Sequence, residues 1–100
     1  MDEYEVKISP RATRDIDGIY SYLAEELKVQ GTAEGLADSL ADAIDSLNQM
    51  PYRGAERKTG AFANRGYRQL FVKNFTVVYR IDETRKMVII VTVRYTPSSF

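Results

Sequence analysis

Apolar and polar positions alternate with a period of two through most of Tyr67–Tyr95, YRQLFVKNFTVVYRIDETRKMVIIVTVRY, and that period marks strands. Phe75, Val77, Tyr79 and Ile81 alternate with Thr76, Val78 and Arg80. Met87, Ile89, Val91, Val93 and Tyr95 form a second apolar series, and its alternates Val88, Ile90, Thr92 and Arg94 turn polar only towards the end. β-branched and aromatic residues dominate, as part-buried pleated surfaces favour. Three strands are predicted, the first two joined at Lys73-Asn74, a two-residue hairpin loop where Asn tolerates positive φ. That loop sets Val72 opposite Phe75, Leu70 opposite Val77 and Arg68 opposite Tyr79. Paired residues share a face, so Leu70, Val72, Phe75, Val77 and Tyr79 make one apolar face. Met87, Ile89, Val91 and Val93 join it if their series points inward. The opposite face then carries Tyr67, Gln69, Phe71, Thr76, Val78 and Arg80 with Val88, Ile90, Thr92 and Arg94. It is either a binding surface or a half-covered sheet.

Earlier in the chain the period lengthens. Tyr4, Val6 and Ile8 still alternate with Glu5 and Lys7, giving a short first strand. Ser9 and Pro10 then supply an N-cap and a first helical residue. Ala12, Ile16, Ile19, Tyr20, Leu23 and Leu27 form an apolar stripe at helical spacing, which predicts a helix from Pro10 to Val29 that stops at Gly31. Thr32 can cap a second helix, striped by Leu36, Leu40, Ile44 and Leu47 and ended by Pro51. The short connection makes the two helices an antiparallel hairpin. Their stripes need a shared apolar partner, which the sheet provides. The predicted fold is therefore a single α+β domain over residues 1–100, ordered β-α-α-β-β-β, with the helical hairpin on one face of a small, mainly antiparallel sheet. In its core, Leu70, Val72, Val77, Tyr79, Ile89, Val91 and Val93 meet Ile16, Ile19, Leu23, Leu27, Leu40, Ile44 and Leu47.

The segment from Pro51 to Gly66, PYRGAERKTGAFANRG, breaks both periods. Its glycines, proline and charges predict a long irregular loop, a kind that is usually functional or mobile in a small domain. Charge sharpens this picture. The chain is neutral overall, yet residues 1–50 hold 4 basic and 11 acidic side chains, and residues 51–100 hold 10 basic and 3 acidic. The asymmetry points either to an anionic partner for the second half or to internal compensation between the halves.

Candidate chemistry is bounded mainly by what is missing. Without cysteine there is no disulfide, thiolate metal site or thiol nucleophile. Without histidine the commonest general base and metal ligand are also gone. Asp38, Asp42 and Asp45 share one side of a helix, but without further ligands they read as a solvated face. No metal and no small-molecule cofactor are expected, and the glycines at 54, 60 and 66 do not have the spacing of a phosphate loop. The longest apolar run, Met87–Val91, is too short to span a membrane, and the acidic start has no signal-peptide pattern, so a cytoplasmic protein is the default. What remains is arginine, lysine and tyrosine, a set suited to phosphate contacts and base stacking or to an acidic peptide bound through arginine–carboxylate pairs.

The order of these features resembles the RelE/ParE family of toxins from bacterial type II toxin–antitoxin systems. The likeness rests on the Ser9-Pro10 helix start in SPRATRDIDGIYSYL, on Arg68, on the turn before Phe75, on Val77-Val78-Tyr79-Arg80-Ile81 and on Arg94. It covers nearly the whole chain. RelE-like members are ribosome-dependent mRNA endonucleases that work without metal, and ParE-like members inhibit DNA gyrase without cutting RNA. The resemblance implies growth arrest, neutralisation by a cognate acidic antitoxin, and either ribosome and mRNA or gyrase as target. Carried over residue by residue, it suggests Arg68, Arg94 and Tyr95 as catalytic positions. By their cationic and aromatic chemistry, apart from the resemblance, Arg57, Lys58, Arg65, Tyr67, Lys73 and Arg80 are expected to bind a partner or nucleic acid. One departure stands out: Thr76 occupies a position after the hairpin where an arginine is usual, so the basic set for cleavage is incomplete. A non-catalytic interaction module of the same fold, binding an acidic antitoxin-like partner, is the alternative.

Overall fold

The computed structural model describes residues 3–26, 30–60 and 62–95, with the side chains of 23, 24, 26 and 30–34 left aside. Strand β1 (Glu5–Ile8) leads into helix α1 (Pro10–Glu26), helix α2 (Gln30–Asp45) and a 3-10 turn at Ser46–Asn48. Four strands follow: β2 (Ala55–Glu56), β3 (Arg68–Val72), β4 (Phe75–Asp82) and β5 (Met87–Tyr95). They form one sheet in the order β1-β5-β4-β3-β2, parallel between β1 and β5 and antiparallel elsewhere. The α+β architecture expected from the sequence is the one observed. The two-residue strand β2 is an addition, lying inside the segment expected to be wholly irregular. The helix break differs too. α2 already begins at Gln30, so Gly31 does not stop a helix and Thr32 falls within one. Leu27, Val29 and the tail from Thr96 to Phe100 lie outside the described residues, as does the side chain of Leu23.

The β3–β4 hairpin has the register its turn demands: Arg68, Leu70 and Val72 face Tyr79, Val77 and Phe75. Lys73 takes the left-handed conformation in the turn, with φ 56°. Strand β5 departs from a strict alternation. Val77 pairs with Val93 and Val78 with Thr92, but Tyr79 pairs with Ile90, so Val91 is an extra residue in β5. A bulge of one residue exchanges the faces of everything beyond it. Val88 and Ile90 therefore point into the core, fully buried, and Met87 and Ile89 turn to the opposite face. This corrects the expectation that Ile89 and Val91 are core residues and that Val88 and Ile90 are not.

Ser9 stabilises that bulge. Its Oγ donates to the Val91 carbonyl at 2.9 Å and accepts from Ala12 N–H at 3.1 Å, while its own N–H reaches the Ile90 carbonyl at 3.0 Å. One side chain thus caps α1 and satisfies the spare carbonyl of the bulge. From the helical side, Ala12, Leu40, Ile44 and Leu47 meet Leu70, Phe75, Val77, Tyr79, Val88, Ile90 and Val93, with Ile16, Ile19 and Val72 partly buried at the margin.

Two polar clusters hold the far end of the sheet. The hydroxyl of fully buried Tyr79 donates to the Pro51 carbonyl at 2.8 Å and accepts from Gly54 N–H at 3.1 Å. Gly54 is confined there, since a Cβ at this position would collide with the Gln69 carbonyl and stand 2.6 Å from the Tyr79 hydroxyl. Near by, Glu83 accepts from Tyr52 at 2.6 Å and from Tyr4 at 2.8 Å, with Lys86 Nζ 3.4 Å away. Hydrogen bonds from Tyr52 and then Tyr4 hold the Glu83 carboxyl below its ordinary range, and the same bonds raise both phenols.

Two outcomes follow for stability. Tyr79→Phe leaves the Pro51 carbonyl and Gly54 N–H without their buried partner, which costs about 1–3 kcal/mol. Urea unfolding should show a lower midpoint at unchanged m-value, and an unchanged midpoint would contradict the anchoring role. Glu83 is a carboxylate whose pKa is depressed by folding. Its contribution is complete above its unfolded value and fades as pH falls through the folded one. Melting temperature should therefore drop on acidification below about pH 4, and Glu83→Gln should flatten that acid limb.

Candidate functional site

Alternation places one set of side chains on the sheet face away from the core. Across that open face the register lines up Phe71, Thr76 and Arg94, then Gln69, Val78 and Thr92, then Arg80, Ile89 and Lys7. The middle of the face is closed to solvent: Thr76, Val78 and Thr92 are each 1% exposed or less. Ala55 of β2 pairs with Gln69, which puts Arg57, two residues on, on the same side. Arg57 Nη1 donates to Gln69 Oε1 at 2.7 Å. Only 5% of Arg57 is exposed, and burial lowers its pKa from the ordinary arginine value. It is a packed element of the sheet margin, unlike the exposed cations Arg80 and Arg94.

The basic loop beyond Arg57 is folded back on itself. Arg57 N–H reaches the Tyr67 carbonyl at 2.9 Å, and Asn64 N–H reaches the Arg57 carbonyl at 2.9 Å. Gly60, Phe62, Asn64 and Gly66 all have positive φ, and for a bulky residue such as Phe62 (φ 67°) that conformation is unusual. Phe62 meets Tyr67 edge to face, with ring centroids 5.4 Å apart. Lys58 and Arg65 stand exposed on this loop, and Lys73 is exposed at the hairpin tip.

Arg68 is not brought together with Arg94 and Tyr95, which both stand at the end of β5. Arg68 lies opposite Tyr79 on the core-face side. Its Nη2 donates to the carbonyls of Gly54 and Tyr52, and its guanidinium lies 5.1 Å from the Tyr52 ring centroid. Its Nε is buried and has no hydrogen-bond partner among the described residues. Arg94 stands on the open face, where its Nε donates to Thr92 Oγ1 at 3.4 Å. Tyr95, the next residue in the strand, points to the other side, pairs with Phe75 and leans on its ring at 5.4 Å.

A groove of about 530 Å³ opens between α1 and the end of β5. Arg14, Asp15, Gly18, Ile19 and Tyr22 line it from the helix, and Phe75, Val93, Arg94 and Tyr95 from the sheet. It exists because β1 ends at Ile8, so among the described residues no strand lies on that side of β5 beyond Val91. Asp15 fills part of the gap, accepting from Thr92 Oγ1 and, at 3.2 Å, from Val93 N–H. The carboxylate thereby satisfies an edge N–H and joins a hydrogen-bonded series that runs through Thr92 to Arg94. Tyr22 and Tyr95 remain 58% and 56% exposed at the groove.

The sequence reading missed Arg14, Asp15, Gly18 and Tyr22. Asp15 did carry a signal. It stands three residues after Ala12 and four before Ile19, so a carboxylate occupies the helix side that packs on the sheet. The groove itself depends on where β1 stops and on the bulge, which alternation alone does not locate.

The geometry can be set beside known proteins. No curated protein matches the chain. Among solved structures, the chromosomal ParDE toxin–antitoxin system of P. aeruginosa superposes with a TM-score of 0.74 at 21% identity, covering 93% of this chain and 96% of that one. A toxin–antitoxin complex of Mycobacterium tuberculosis, RelBE2, gives 0.66 at 19%, with coverage of 98% and 97%. A mutant E. coli toxin RelE in the free state gives 0.64 at 12%, with coverage of 95% and 85%. These likenesses describe the fold. The sequence match is more specific: residues 6–97 fit the model of the ParE toxin of the type II toxin–antitoxin system parDE, and the chain belongs to that family.

Proposed function

We propose that this chain arrests growth by obstructing DNA gyrase and does not cut mRNA. We propose also that an acidic antitoxin segment neutralises it by lying in the groove between α1 and β5. Such a toxin acts in the cytoplasm. No helix among the described residues is long and apolar enough to cross a membrane.

One observation carries the reading of the target. The three residues that a cutting mechanism would draw on do not converge: Arg68 is turned to the loop carbonyls on the far side of β3, while Arg94 and Tyr95, both at the groove, leave β5 on opposite faces. A phosphorane-like transition state needs cations and a proton acceptor converging on one point. Here the centre of the open face is Val78, flanked by Thr76 and Thr92, and the chain has no histidine to act as base. The antitoxin reading rests on charge and shape. Arg14 and Arg94 flank an otherwise mostly apolar groove, and Asp15, the only carboxylate lining it among the described residues, is already engaged. An acidic peptide with apolar anchors fits both features.

Expression without a partner should stop growth, and co-expression of an adjacent small partner gene should restore it. Purified protein should inhibit gyrase supercoiling while leaving mRNA 5′ ends unchanged in translating ribosomes. Codon-phased cuts would sink the gyrase reading. Arg94→Ala should keep the melting temperature within a few degrees of the parent, because exposed substitutions usually stay within about ±0.5 kcal/mol. The same variant should lose toxicity or antitoxin affinity, with little recovery in Arg94→Lys if the contact is bidentate. Undiminished toxicity and binding in Arg94→Ala would remove that residue from the site.

A further inference from the structure

Glycine within a helix is a liability, because it orders more backbone entropy than alanine and packs no side chain. Other glycines here have visible reasons. Gly54 has no room for a Cβ, and Gly60 and Gly66 take positive φ. Gly18, in the middle of α1, has neither reason. A Cβ built on it meets nothing within 4 Å, and the residue is exposed. Gly35 shares that freedom, but it lies near the start of α2 and is not part of this groove. Gly18 lines the groove between α1 and β5, flanked on the helix by Arg14, Asp15, Ile19 and Tyr22.

We infer that Gly18 is the point where the bound antitoxin segment crosses α1 with its backbone close against the helix. This rests on the proposal that the groove holds an acidic, apolar-anchored segment. It adds that the fit is set at Gly18 by the absence of a side chain. The surroundings suit such a crossing. Ile19 and Val93 supply apolar contact, Tyr22 and Tyr95 stand exposed at the groove, and Arg14 meets no carboxylate among the described residues. A backbone laid over Gly18 would place acidic side chains within reach of Arg14 on the helix and Arg94 on the sheet. A close approach of this kind tolerates no Cβ, because a filled interface repels added methyl groups.

The test exploits opposite signs. In the free protein Gly18→Ala and Gly35→Ala should each raise the melting temperature by about 3–6 °C, since each replaces a helical glycine with open space around it. Affinity for the purified protein encoded by the neighbouring gene should fall about tenfold or more in Gly18→Ala, fall further in Gly18→Leu, and stay at the parent value in Gly35→Ala. Parent-like binding by Gly18→Ala and Gly18→Leu would overturn the inference and leave the groove reading standing. No binding by the parent chain would overturn both.

Discussion

A single extra residue in β5 determines how this small sheet divides its side chains. Without the bulge at Val91, a strict alternation would turn Ile89 and Met87 inward and expose Val88 and Ile90. With it, β5 offers Val88, Ile90 and Val93 to the core and keeps Thr92 and Arg94 on the opposite side. A bulge leaves backbone groups outside the ladder, and buried ones must be satisfied. Ser9 meets that need as it starts α1, so the first helix, the end of β1 and the bulge are fixed by one hydroxyl and its own backbone. The position of α1 along β5 follows, and with it the groove.

The two ends of the sheet use their polar residues differently. At the β3 end, the Tyr79 hydroxyl and Arg68 Nη2 donate to the carbonyls of Pro51, Tyr52 and Gly54 and hold the connecting segment against the core. Arg57 is likewise committed to Gln69. At the β5 end, aromatic and charged groups remain presented to solvent around a concave surface. Basic residues near the loop therefore look alike in sequence but differ in role, and burial separates them. This is why the positive charge of the second half of the chain does not translate into one continuous cationic site.

Much of this was legible beforehand. Period-two alternation and the Lys73-Asn74 turn give the hairpin register residue by residue, because a two-residue loop leaves no freedom in pairing. Ser9-Pro10 marks the helix start for the same local reasons. The last strand misled because its core and outer residues are both aliphatic: Val88, Ile89, Ile90 and Val91 carry no polar marker to reveal a shift of one. Gly31 misled because a glycine is a plausible stop, yet α2 begins at Gln30. The site was harder to read. Alternation could assign Arg94 and Arg68 to opposite faces, but nothing local shows that the Gly54 and Tyr52 carbonyls receive Arg68. A groove formed by a strand that ends early is a tertiary feature, visible only when α1 and β5 are placed together.

The central claim is that recognition takes place in the groove between α1 and β5, away from the closed centre of the open face. Amide hydrogen exchange of the toxin, measured alone and saturated with the protein from the neighbouring gene, tests it most directly. The account predicts slowed exchange in α1 from Arg14 to Tyr22 and in β5 from Val93 to Tyr95, with little change in the segment from Arg57 to Tyr67. Protection confined to that segment and to β3, with the groove amides exchanging as in the free protein, would contradict it.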